Sequence, residues 1–130
     1  MSLTRRFLLA TGILYVLLGV AYLVAPVRMA ALADLALPTA KAVIEIRGFY
    51  GGQLVGIGAF ILLGAWRSSF ASPALLLVAL SLGGTAVGRL VGISSAGTLP
   101  PIIVGVLAIE ITASVVALFL LIRGADTPAA

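Results

Sequence analysis

The chain has 130 residues, 62% of them hydrophobic and only 9% charged, where a soluble domain carries about a quarter charged residues; the apolar residues run in long stretches, which points to a bilayer. It contains no cysteine and no histidine, which removes disulfides, thiol chemistry, iron–sulfur ligation and His-ligated haem or zinc. The net charge of +4 comes from residues flanking the apolar runs, and no basic cluster forms on a soluble face, so nucleic acid is not an expected partner.

Span one is expected over about residues 7–24, ending before Pro26. Arg5 and Arg6 precede it as in a secretory signal. The run is longer than a signal core and no soluble segment follows, so an uncleaved span is expected. Between Pro26 and Pro38, Arg28 and Asp34 interrupt Met29, Leu32, Leu35 and Leu37. Either a short interfacial helix starting near Pro26 or an ordered loop fits this stretch.

Span two is expected over 40–66, with Trp66 and Arg67 as its interfacial anchor. Span three follows the polar turn 68–72 and covers 73–93. Span four follows the turn 94–99 and covers 101–122, stopping at Arg123-Gly124, with a frayed tail over 125–130. The expected fold is an all-α membrane protein, a bundle of four transmembrane helices forming a single integral domain over residues 1–130. Arg5, Arg6, Arg67 and Arg123 share one face, against Arg28 and Lys41 on the other. The balance puts both termini in the cytoplasm of a multi-pass protein of a bacterial inner membrane.

Glu45, Arg47, Arg89 and Glu110 lie inside these spans. An ionised side chain in hydrocarbon costs roughly 2.5–3.5 kcal/mol, and two acids with two bases cancel. The topology sets all four in the same half of the bilayer. Glu110, about 15 Å past Pro100 at 1.5 Å per residue, is the deepest. Glu45 and Arg47 are two apart and point to different faces. One economical arrangement pairs Arg89 with Glu110, while Arg47 and Glu45 join the network or reach the interface. Such a cluster is either an ion network that fixes helix order and register or a working site.

Gly48, Gly52 and Gly56 recur every four residues on span two, as do Gly84, Gly88 and Gly92 on span three. These stripes suit close helix packing, and alternatively a dimer face or a ligand slot. Gly12 and Gly19 are seven apart, and Gly51 and Gly58 repeat that spacing, too cheaply in a Gly-rich chain to argue duplication. Tyr50 and Gln53 add to the polar segment around Arg47, and Tyr15 and Tyr22 line the same interior from span one. Ser81 and Thr85 precede Arg89 at four-residue steps, and Ser114 is one turn beyond Glu110. These hydroxyls either satisfy the charges or bond back to their own helices.

The run Glu45-Ile46-Arg47-Gly48-Phe49-Tyr50-Gly51-Gly52, with Arg89 late in span three and Glu110 in span four, resembles a family of small bacterial membrane proteins labelled only as a domain of unknown function. The resemblance covers nearly the whole chain and implies four transmembrane helices with no assigned activity. The glycine-and-leucine texture is more distantly similar to DoxX-like four-helix membrane proteins, some linked to quinone and sulfur redox complexes.

No phosphate-binding loop, dinucleotide fingerprint or zinc-protease motif occurs, so no cofactor or metal is expected. The leading expectation is a non-enzymatic accessory subunit, or a binder of a lipid or small amphipath, with a pocket at Glu45, Arg47, Tyr50, Gln53, Arg89 and Glu110. The alternatives are a small proton-coupled transporter with Glu110 carrying the proton, and a membrane enzyme acting on a lipid or quinone. The expected partners are the bilayer, a larger membrane complex or a second copy of the chain, and a lipid or quinone ligand.

Overall fold

A computed structural model describes residues 1–125, and these are largely helical with no strand among them. Four helical stretches are long and apolar enough to cross a membrane: Leu3–Val24, Ala40–Trp66, Ser68–Ala96 and Pro101–Gly124. Large apolar side chains such as Leu17, Leu80 and Ile109 lie exposed. A helix apolar on all sides suits lipid as its solvent, so the chain is a multi-pass membrane protein.

It divides into two compact units, Met1–Arg67 and a second beginning at Ser68. The first unit pairs α1 (Leu3–Val24) with a second span built in three pieces. These are α3 (Ala40–Ile46), a π-helical turn (Arg47–Gly52) and α4 (Gln53–Trp66). The Ser2 hydroxyl accepts from the Arg5 amide and starts α1 four residues before the apolar run, so Arg5 and Arg6 ride on the helix. Thr39 caps α3 in the same way through the Ala42 amide.

Between them lies the short helix α2 (Pro26–Ala31), with Pro26 in its first turn, where its missing amide costs nothing. It ends well before Pro38. Asp34 takes a left-handed backbone (φ 55°), and the amides of Asp34 and Leu35 bond to the carbonyls of Ala31 and Ala30. Asp tolerates this conformation better than most residues.

Two close approaches hold α1 against the second span. A Cβ on Gly12 would sit 3.1 Å from the Gly58 carbonyl oxygen, and one on Gly19 would sit 2.8 Å from that of Gly51. The reciprocal positions are equally tight: Gly58 faces Val16, and Gly51 faces Leu23. Both approaches keep one antiparallel register and fall seven residues apart. That spacing belongs to a left-handed helix pair, in which a heptad keeps one seam on the partner.

The four-residue glycine stripes make no such approach within either unit. A Cβ on Gly48, Gly56, Gly84, Gly88 or Gly92 would meet no atom within 4 Å, and one on Gly52 only the Arg47 carbonyl at 3.9 Å. The four-residue stripe is therefore not what brings the helices of either unit together. Within the first unit the close approaches are made by the glycines in the seven-residue pattern.

The second unit pairs α5 (Ala71–Ala96), entered through a 3-10 turn (Ser68–Phe70), with α6 (Pro101–Ala125). Gly97 closes α5 at φ 66°, its amide bonding to the Ile93 carbonyl, and Pro101 opens α6. A left-handed glycine followed by proline ends one helix and begins the next within a few residues. Leu75, Val78, Ala79 and Ala86 are buried along α5, and Glu110, Ser114, Ala117 and Leu120 along α6. The α6 set steps by four, three and three residues, so Glu110 occupies a seam position that would otherwise take an apolar residue.

Candidate functional site

The seam of the second unit carries its polar chemistry. The Arg89 Nε donates to both carboxylate oxygens of Glu110, at 3.1 Å to Oε1 and 2.9 Å to Oε2. The Glu110 side chain is 10% exposed and that of Arg89 37%. Glu110 lies about 13 Å along α6 from Pro101, and Arg89 about 10 Å before the end of α5, at 1.5 Å per residue. Two charges at matching depth on helices joined by a short turn meet without leaving their helical paths.

Ser114 supports this register. Its hydroxyl, buried, donates to the Ala79 carbonyl across the interface at 2.9 Å. Gly83 leaves room for it, since a Cβ there would come within 3.1 Å of the Ser114 Oγ. Thr85 does not reach the charges; its hydroxyl bonds back to the Ser81 and Leu82 carbonyls of its own helix. Ser94 and Ser95 likewise bond back to Val91. Serine and threonine commonly do so inside apolar helices.

Beside Arg89 an open cleft of about 270 Å³ runs toward the α5–α6 turn. It is lined by Arg89, Gly92, Ile93, Ala96, Thr98, Pro100 and Ile103. Arg89 is the one charged residue in this lining. Its hydrogen bonds to Glu110 run through Nε.

The other expected site residues belong to the first unit. The Arg47 Nε donates to the Leu23 carbonyl at 3.1 Å. The proline at position 26 ends α1, which frees the carbonyls of its last turn, and Arg47 takes one of them. Tyr50 packs its ring on Tyr22, with centroids 5.2 Å apart and the planes tilted by 35°. Glu45 and Gln53 are exposed, and within the first unit neither has a side-chain hydrogen bond or ion pair. Within the first unit Glu45 and Arg47 do not pair with each other. The π-helical turn and the cleft beside Arg89 were both missed by sequence reasoning. The Arg47-Gly48-Phe49-Tyr50-Gly51-Gly52 composition was the available signal for the turn, since such turns gather at functional positions.

A family model described as Domain of unknown function (DUF4345) matches residues 3–121. The chain belongs to that family. The match spans both units and includes the π-helical turn, the Arg89–Glu110 pair and the cleft. It shows nothing of the DoxX-like likeness. No curated protein and no solved structure matches the chain. Among the described residues no group of three His, Cys, Asp or Glu side chains is placed to hold a metal ion.

Proposed function

We propose that this DUF4345 protein is a non-enzymatic membrane protein that binds a small lipidic or amphipathic ligand in the α5–α6 cleft. The observation that carries this reading is a guanidinium at the edge of an apolar cleft, held through its Nε by the buried Glu110. An intramembrane ionisable group is a functional candidate by default, and this one lines a cleft. The volume lies just under the roughly 300–1,000 Å³ of pockets that enclose drug-sized ligands. The cleft therefore suits one ring or one chain segment, with the rest of the ligand in the bilayer.

Arg47 and Tyr50 have the first unit's structural tasks in this reading, Arg47 through its cap on α1 and Tyr50 through its ring contact with Tyr22. The flanking arginines support a bacterial inner membrane with both termini cytoplasmic. An accessory role beside a larger complex is compatible with the extensive exposed apolar surface. Native mass spectrometry of protein released from its own membrane tests the proposal. A bound small molecule of defined mass is expected on the wild type and absent from Arg89→Leu. An identical spectrum from both would remove the reading.

A further inference from the structure

We infer that the π-helical turn of the first unit is a register latch: α3 has two apolar faces, and the charge of Arg47 decides which of them turns toward the rest of that unit.

The seven-residue pattern of the α1 contact sets the expectation. Gly51 and Gly58 face α1, and Leu54 and Ile61 stand three residues after them, the two kinds of seam position in a heptad. Ile61 is fully buried. Carried back by seven through an unbroken α-helix, the pattern puts Ile44 in line with Gly51 and Arg47 in line with Leu54. The structure departs from this before Gly51. Ile44 is 67% exposed, and the less exposed residues of α3 are Ala42, Val43 and Ile46. Ile46 lies five residues before Gly51, and the Gln53 amide donates to the Gly48 carbonyl, also five residues back. Five is the step of a π turn, whereas an α-helix returns to one face after three or four. One residue is taken up in the turn Arg47–Gly52, and α3 is rotated by about 100° from the line that α4 would continue.

Both faces of α3 suit a seam by composition: Ala40 and Ile44 in the α register, Ala42, Val43 and Ile46 in the π register. Residue 47 tells them apart. In the α register Arg47 takes the position that Leu54 and Ile61 hold in the following turns, and a guanidinium there gives up its hydration to an apolar seam. In the π register it stands at the edge of the seam, where its Nε donates to the Leu23 carbonyl at 3.1 Å. Tyr50, within the same turn, rests on the Tyr22 ring. The latch therefore ties the rotation of α3 to the end of α1. Arg47→Leu completes an apolar heptad with Ala40, Ile44 and Leu54, and nothing then holds the rare π turn against a plain α-helix.

The test uses the full chain, 15N-labelled, in aligned phosphatidylcholine bilayers, where 15N–1H dipolar couplings trace the rotation of each helix about its axis. Wild type is expected to show α3 offset from α4 by about 100°. Arg47→Leu should abolish the offset. Arg47→Lys, which keeps the charge, should retain it. Two deletions decide the matter should Arg47→Leu fail to fold. Deleting Gly48 leaves Ile46 four residues before Gly51, so α3 and α4 should run on as one α-helix, with a melting point at or above that of wild type. Deleting Gly56 from α4 throws the seam out of register and should lower the melting point by several degrees. A wild type without the offset, an offset that survives Arg47→Leu or is lost in Arg47→Lys, or a Gly48 deletion as damaging as that of Gly56 would each overturn the inference.

Discussion

Ser114 on α6 donates its hydroxyl to the carbonyl of Ala79 on α5 at 2.9 Å, one turn beyond Glu110. This contact, with Gly83 beneath it, sets the register that brings Glu110 opposite Arg89. Side-chain hydrogen bonds between membrane helices average about 0.6 kcal/mol. Ser114→Ala should therefore cost about that much in reversible unfolding. Ser114→Leu, which drives bulk toward Gly83, should cost about 1–3 kcal/mol, as overpacking does. Equal costs for the two would show that the seam is not close-packed there.

The ion pair should behave as a coupled unit. Breaking a fully buried pair costs about 3–5 kcal/mol by stranding the partner. Arg89 is 37% exposed, so Glu110→Leu should fall lower, at about 2–3 kcal/mol. The Arg89→Leu, Glu110→Leu double variant should cost less than the sum of the single ones by about 1 kcal/mol or more. A double-mutant cycle on unfolding free energies measures this directly. Strict additivity would mean that the two side chains do not support each other.

Glycine substitutions should split into two classes. Gly19→Ala puts a Cβ 2.7 Å from the Val55 amide nitrogen and 2.8 Å from the Gly51 carbonyl. Those are backbone atoms, which cannot swing aside, so a cost of about 1–3 kcal/mol is expected. Gly56→Ala, Gly84→Ala and Gly88→Ala meet nothing within 4 Å and should be neutral or stabilising by up to about 1 kcal/mol through helix propensity. Melting curves of the four variants compare them side by side. Destabilisation by the open-face alanines would mean that the stripe packs against something after all.

Arg47 should prove a local clamp. Arg47→Leu removes the donor to the Leu23 carbonyl, worth about 1 kcal/mol at an exposed site. Hydrogen exchange should quicken over residues 21–31, where α1 ends and α2 begins, and stay unchanged over α5 and α6. Unchanged exchange at the end of α1 would show that its carbonyls need no side-chain cap.

The spans and the Arg89–Glu110 pairing were legible because they follow from apolar run length and from depth counted off a shared turn. Helix ends were less so. Ser2 and Gly97 extend α1 and α5 beyond their apolar runs by capping, which hydropathy does not register. The glycines that close the first unit follow another period. Gly48, Gly52 and Gly56 spell a four-residue stripe that suits right-handed crossings, whereas the first unit is closed by Gly12, Gly19, Gly51 and Gly58. Their seven-residue spacing stood in the sequence but reads as chance without the partner helix. Arg47 found a backbone carbonyl, which no pattern of side chains reveals. The cleft depends on how Thr98 and Pro100 fold over the end of α5, a tertiary feature invisible to periodicity.

The most direct test is the dipolar coupling between Arg89 Nε and the Glu110 carboxyl carbon, by solid-state NMR on protein labelled at both sites in lipid bilayers. The account predicts a strong coupling, at the separation two hydrogen bonds of 2.9 and 3.1 Å impose. Absence of that coupling, with Arg89 hydrated at the membrane surface instead, would contradict it.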